Sequence, residues 1–156
     1  MKPSVIVLTT GTSVLRNEAD RNERNILNNS SNKKEENLSF EEKRLIDEIA
    51  EKKKALLFKS SLLEVRKLSA ELNGLIGFYG MDLSKGIKNL HFLLKSDTYQ
   101  GTKAAEIVSE WMKEKGLYAE CVGFPGLNTS NIVDFTSAMS DVIKWCDSVH
   151  APMKWI

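Results

Sequence analysis

Short apolar runs alternate with longer amphipathic stretches along most of the chain. Three runs, Val5–Leu8, 89–95 and 118–122, are brief and almost continuously apolar, which is typical of buried parallel strands. Between and after them, apolar residues recur three or four positions apart, the spacing of helices with one buried face. Strands that alternate with helices predict βαβ units. The expected fold class is therefore α/β, a Rossmann-like three-layer sandwich with a mainly parallel sheet, whose strand order the pattern leaves open.

Local signals predict where several of these helices begin and end. Ser39 and Glu42 form a capping box, and the helix that they start is expected to end in the basic run Glu51–Lys54. A second helix is predicted from Ser60 or Ser61 to a stop at Gly80.

Residues 17–38 interrupt the pattern. From Asn17 to Asn37 the stretch is rich in asparagine and charge, and its apolar residues are Ala19, Ile26 and Leu27. So few apolar side chains do not offset the entropy lost on ordering, which predicts a polar, mobile insertion within a single domain spanning residues 1–156. A solvated loop is the simpler interpretation. The alternative is a lid over the end of the first strand.

Composition and charge narrow the function. The chain has 156 residues, enough for one domain with a sizeable core, and a formal net charge of +1. Such a balanced charge argues against a protein that coats long DNA or RNA, and leaves room for a small ligand held at one site. Two cysteines are too few for a disulfide framework, and no apolar run is long enough for a membrane span. We therefore expect a cytoplasmic protein without a membrane partner.

Polar residues follow the first two predicted strands. Thr9–Ser13 holds four hydroxyls and Gly11, and the next strand ends in Lys95–Gly101. Because the carboxyl ends of parallel strands meet at one edge of a sheet, these loops are expected to form one pocket. Free N–H groups at the following helix starts suit a phosphate there. Alternatively, Ser96, Asp97 and Thr98 are ordinary capping residues, Asp97 or Thr98 being the cap.

Other chemistries find little support. The dinucleotide fingerprint Gly-x-Gly-x-x-Gly and a Walker-type phosphate loop are absent. With two histidines in the chain and no Cys/His spacing typical of zinc, neither a metal site nor a cofactor is predicted. His91 lies inside an apolar run, which favours a packed histidine over a catalytic one.

Three segments together resemble one family. They are Val5–Ser13, Leu68–Asn73, and Leu94–Thr98 followed by Gly101 and Ala104-Ala105. Their order and spacing resemble the CRISPR-associated Rossmann-fold (CARF) family, and within it the ring nucleases and the sensor domains of type III CRISPR ancillary ribonucleases. The turn Pro125-Gly126-Leu127 and Phe135 fit the same pattern.

The resemblance implies a ligand, a partner and a site. Members of this family bind cyclic oligoadenylate, an antiviral second messenger, in a pocket shared across a homodimer. The implied ligand here is cyclic tetra-adenylate, bound by nine residues at the two strand ends: Thr10, Gly11, Thr12, Ser13, Lys95, Ser96, Asp97, Thr98 and Gly101.

The resemblance also implies a metal-independent cleavage of the ring. Ser13 would position the ribose or phosphate, and Lys95 would stabilise the charge that develops on phosphorus. Family members usually continue into a strand and a Gly-Gly-Phe-Lys turn with a catalytic lysine, whereas this sequence ends at Ile156. Lys103 is a second candidate for the missing cation. Binding is therefore expected more directly than cleavage.

Three alternatives stay open. The protein is a sensor or sponge that binds the ring without cutting it, or a dimerising interaction domain that lacks its effector. A conventional nucleotide-dependent enzyme is the third, and the missing glycine fingerprint argues against it.

Overall fold

A computed structural model gives the structure of this protein and describes residues 4–123, 132–148 and 153–156. Four strands form one parallel sheet in the order β3-β2-β1-β4, namely β1 (Val5–Thr9), β2 (Leu90–Lys95), β3 (Tyr118–Gly123) and β4 (Met153–Trp155). The sheet confirms the predicted α/β class and supplies the strand order that the pattern left open.

The described helices alternate with these strands. They are α1 (Ser13–Arg16), α2 (Arg21–Asn29), α3 (Phe40–Phe58), α4 (Leu62–Leu68), α5 (Ala70–Phe78), α6 (Tyr99–Glu114) and α7 (Ile132–Ser148), with 3₁₀ turns at Glu35–Asn37 and Leu83–Gly86.

Two predicted helix boundaries were wrong. The helix expected from residue 61 to 80 is interrupted at Ser69, whose extended backbone ends α4 and whose hydroxyl caps α5 by accepting from the Leu72 N–H. Helix α3 does not end at Lys54 but continues to Phe58, because Leu57 in the added turn is fully buried. A local cap therefore sets the first boundary, and tertiary packing sets the second.

The sheet is covered on both faces. Ile6, Leu8 and Leu93 belong to the larger apolar cluster, together with buried residues of α1 to α6. Val5 and Val7 belong to a second cluster that Val142 of α7 completes. Because successive residues of a strand point to opposite faces, the two clusters lie on opposite sides of the sheet. The arrangement has three layers, as predicted.

The solvated-loop interpretation of residues 17–38 was wrong, because the segment contains α2 and a 3₁₀ turn, while its mobility stays a prediction. Asp20 and Glu23 form a capping box at the start of α2, and Leu27 is fully buried in the larger apolar cluster. The side-chain amide of Gln100, at the start of α6, donates to the Leu27 carbonyl at 2.8 Å and to Ser30 Oγ at 3.0 Å. Burial of Leu27 in this cluster and the hydrogen bonds from Gln100 attach the segment to the rest of the fold. That the whole chain is one domain stays a prediction.

The lysines of α3 contribute to the same attachment. Lys53 is buried, and its ammonium lies 3.8 Å from a carboxylate oxygen of Glu23, while Lys52 lies 3.3 Å from the other. Two lysines of the basic run therefore pair with the buried carboxylate at the start of α2.

His91 is a packed residue, as predicted. It is fully buried, and its Nδ1 lies 2.8 Å from the Tyr118 carbonyl oxygen. Because a carbonyl only accepts, Nδ1 carries the proton, and Nε2 accepts from the Tyr79 hydroxyl at 2.7 Å. The ring is therefore neutral and joins α5, β2 and β3. Burial lowers the pKa of His91.

This histidine is expected to make stability depend on pH. The unfolded chain takes up a proton at this histidine as the pH falls through about 6.5, whereas folded His91 resists protonation. The free energy of unfolding is therefore expected to decrease as the pH is lowered through that range. Urea denaturation between pH 8 and pH 5.5 should show a shallower pH dependence for His91→Phe than for the wild type. The second histidine is present in both proteins, so equal slopes would contradict the assignment.

Candidate functional site

The strand order places the end of β1 at a topological switch point. β1 lies between β2 on one side and β4 on the other, so the connections leaving the sheet diverge there. In open α/β sheets, ligands bind in the crevice beyond the carboxyl ends of the strands at this point. The hydroxyl-rich segment Thr9–Ser13 begins there.

The two predicted loops lie side by side. Thr9 is the register partner of Leu94, and both the N–H and the hydroxyl of Thr10 donate to the Leu94 carbonyl, at 2.9 Å and 2.8 Å. Both loops therefore lie at one edge of the sheet, as expected, and that they form one pocket stays a prediction. The two bonds also commit the Thr10 hydroxyl to holding the loops together.

Glu71, in the first turn of α5, holds the loop after β1. One of its carboxylate oxygens accepts from the Gly11 N–H at 2.7 Å and the other from the Ser13 hydroxyl at 2.8 Å. Ser13 Oγ in turn accepts from the Ala70 N–H at 2.9 Å. Glu71 lies within Leu68–Asn73, one of the segments that resemble the CARF family, and no role was predicted for it. The sequence signal that could have identified Glu71 was an acidic residue that follows a capping serine.

Thr12 lies next to this clamp and is half-buried. Its backbone caps the single turn of α1, and its hydroxyl accepts from Arg16 Nε at 3.1 Å. Gly11 beside it is exposed, so the tip of the loop faces solvent.

Thr98 is the cap of α6, which decides between the two predicted candidates. Its hydroxyl accepts from the Gly101 N–H at 3.1 Å and lies 2.9 Å from Ser96 Oγ. A β-carbon on residue 101 would lie only 2.2 Å from Ser96 Oγ, so glycine is required there. Thr98 and Gly101 are both buried. Their contact with a ligand stays a prediction, beside the structural role that they have here.

Asp97 and Lys95 differ in their partners. The Asp97 carboxylate lies 3.4 Å from Lys34 Nζ, so the turn before α3 reaches this loop. Lys95 leans toward β3, where a β-carbon on Gly123 would lie 3.4 Å from its Cε. Among residues 4–123 and the other described segments, no carboxylate is within ion-pair distance of Lys95. Lys95 is thus a half-buried cation at the carboxyl edge of the sheet, without a counter-charge in the described segments.

A cleft of about 460 Å³ lies beside Asp97. Lys103 lines it and lies 3.7 Å from Asp47 and 3.8 Å from Glu106, so this second candidate for the missing cation already has two carboxylate partners. The Tyr99 hydroxyl donates to Asp47 at 2.5 Å, and burial followed by this bond raises the pKa of Tyr99. The lining carries both signs of charge.

The described segments lack both a metal-binding cluster and a membrane-spanning helix. They contain no group of three or more His, Cys, Asp or Glu residues arranged to hold a metal ion. None of their helices has the length and apolar character needed to cross a bilayer.

Fold and site together define a class: an α/β protein with a parallel sheet and polar loops at its switch point. The chain belongs to the family described as CRISPR-associated protein (Cas_APE2256), whose model matches residues 66–153, more than half of the sequence. The match includes Glu71 and the whole loop after β2. No curated protein matches the chain. Pro125-Gly126-Leu127 and the Phe135 side chain lie outside the described residues.

Proposed function

We propose that the protein binds cyclic oligoadenylate, with cyclic tetra-adenylate as the favoured ring, in a type III CRISPR antiviral response in the cytoplasm. The observation that carries the proposal is the pair of hydrogen bonds from Thr10 to Leu94. These bonds join two polar loops at the switch point of the sheet, in a chain of a CRISPR-associated family. The resemblance to CARF proteins supplies the ligand.

The nine candidate residues fall into two proposed groups, those that contact the ring and those that shape the loops. Gly11 is exposed, and Thr12, Lys95, Ser96 and Asp97 are half-buried, so these five are proposed to contact the ring. The other four are proposed to shape the loops. Thr98 and Gly101 are buried at the start of α6, and the hydroxyls of Thr10 and Ser13 hold the β1 loop to β2 and to α5.

A homodimer is part of the proposal. Cyclic tetra-adenylate has a two-fold axis, and a two-fold dimer presents the same loops twice. Each chain would then bind half of the ring. The expected stoichiometry is one ring for two chains, which calorimetry measures together with the affinity.

Cleavage of the ring is the second part. The ribose 2′-oxygen would attack the adjacent phosphorus, the bond to the 5′-oxygen would break, and a 2′,3′-cyclic phosphate would form. Such a reaction needs alignment and stabilisation of negative charge. Lys95 is the proposed stabilising cation. Ser13 donates to Glu71, which favours a positioning role for it. The alternative is a sensor or sponge that binds without cutting.

Calorimetry with cyclic tetra-adenylate and cyclic hexa-adenylate tests binding, and chromatography of the same mixtures tests cleavage. We expect saturable binding of the tetra-adenylate ring, and weaker binding of linear tetra-adenylate as the control. Binding of neither ring would refute the proposed function. Binding without linear products would leave the sensor or sponge.

A further inference from the structure

We propose that Glu71 accepts a hydrogen bond from a ribose 2′-hydroxyl of the ligand, so that the loop after β1 recognises the sugar and Lys95 the phosphate. This inference rests on the proposed function and assigns the two halves of a nucleotide to the two loops.

The Glu71 carboxylate has room for one more donor. An ionised carboxylate offers about four acceptor positions. Three are used, by the Gly11 N–H at 2.7 Å, the Ser13 hydroxyl at 2.8 Å and the Ser69 hydroxyl at 3.0 Å. The oxygen that bonds Gly11 takes a single bond, and Gly11 is exposed while Glu71 is half-buried. A free acceptor position therefore lies beside the solvent-facing tip of the loop.

The negative charge of Glu71 determines which part of a nucleotide fits beside its free acceptor position. A phosphate at the Gly11 N–H would compete with Glu71 for the same donor and would approach its negative charge. A ribose hydroxyl is a neutral donor, and a carboxylate near a strand end accepts ribose hydroxyls in dinucleotide-binding Rossmann folds. Lys95, without a counter-charge among the described residues, is the group suited to the phosphate.

The surrounding hydroxyls fix the carboxylate in place. Ser13 Oγ accepts from the Ala70 N–H and Ser69 Oγ from the Leu72 N–H, so each hydroxyl proton is directed to Glu71. Both serines are therefore donors to the same carboxylate oxygen, at 2.8 Å and 3.0 Å. An acceptor held from two sides keeps one orientation, which is what selection of a single hydroxyl requires.

The test compares two rings by calorimetry: cyclic tetra-adenylate and its counterpart built from 2′-deoxyadenosine. We expect the wild type to bind the deoxy ring at least about tenfold more weakly, since a hydrogen bond to a charged group is lost. In Glu71→Gln, binding of the ribose ring should weaken and binding of the deoxy ring should change little. The ratio of the two dissociation constants should therefore fall toward one. A merely structural role for Glu71 would weaken both rings alike.

Glu64→Gln is the matched control. Glu64 occupies the first turn of α4 and accepts from the capping Ser61 at 3.2 Å, so it too is a glutamate bonded to the capping serine of its helix, and it lies away from the β1 loop. This variant should discriminate as the wild type does. If Glu71→Gln does not fold, Glu71→Asp, which withdraws the carboxylate by one methylene, replaces it.

The outcomes separate this inference from the proposed function. Equal binding of both rings by the wild type, or full discrimination retained in the Glu71 variant, would overturn the role of Glu71 and leave ring binding intact. A wild type that binds neither ring would overturn both.

Discussion

Replacing Leu27 by alanine is expected to lower the free energy of unfolding by about 2–5 kcal/mol, the range for a buried leucine. Leu27 is fully buried among residues of several helices, and its carbonyl accepts from the Gln100 side chain at 2.8 Å. Shortening the side chain leaves a cavity under α2. Urea denaturation monitored by tryptophan fluorescence measures the loss.

Leu63→Ala is the control for this variant. Leu63 lies on α4 with 67% of its surface exposed, so its removal should change the free energy of unfolding by about 0.5 kcal/mol or less. A loss at Leu27 no larger than the loss at Leu63 would show that residues 17–38 form a solvated loop after all.

Replacing Lys95 by alanine is expected to weaken binding of cyclic tetra-adenylate by about 10- to 100-fold, as when a charge-assisted hydrogen bond to phosphate is lost. Lys95 has no ion-pair partner in the described residues, so its charge is available to a ligand. Because the interaction is ionic, wild-type affinity should also fall with salt more steeply than that of the variant. Calorimetry at two salt concentrations measures both effects.

Lys59→Ala is the matched charge control. Lys59 is an exposed lysine at the C-cap of α3, and its removal lowers the net charge by the same amount. Its affinity for the ring should stay near that of the wild type. A Lys95 variant that binds as tightly as the Lys59 variant would remove Lys95 from the site.

Family membership, ring binding, dimerisation and cleavage each depend on a different observation. Membership of the CRISPR-associated family rests on the match to residues 66–153. Ring binding, the homodimer and cleavage are proposals, tested by affinity, stoichiometry and products respectively. A chain that binds without cutting would agree with the Glu71 and Lys95 assignments, since both concern the bound ring.

The sequence by itself determined several of the local elements. The run Val5–Leu8 is apolar at every position, which fits a strand buried on both faces, and β1 is that strand. Ser39 and Glu42 start α3 as predicted, because a capping box needs residues only three positions apart. The same reasoning predicted two adjacent polar loops, since parallel strands end at one edge.

The tertiary structure decided what depends on distant residues. The order β3-β2-β1-β4, the burial of Leu27 and the clamp of Gly11 by Glu71 join segments that no local period relates. A sequence pattern reports which face of an element is apolar, and it does not report which other element covers that face. Hydrogen-bond pairing across 60 positions, as between Gly11 and Glu71, is fixed only when the helices pack against the sheet.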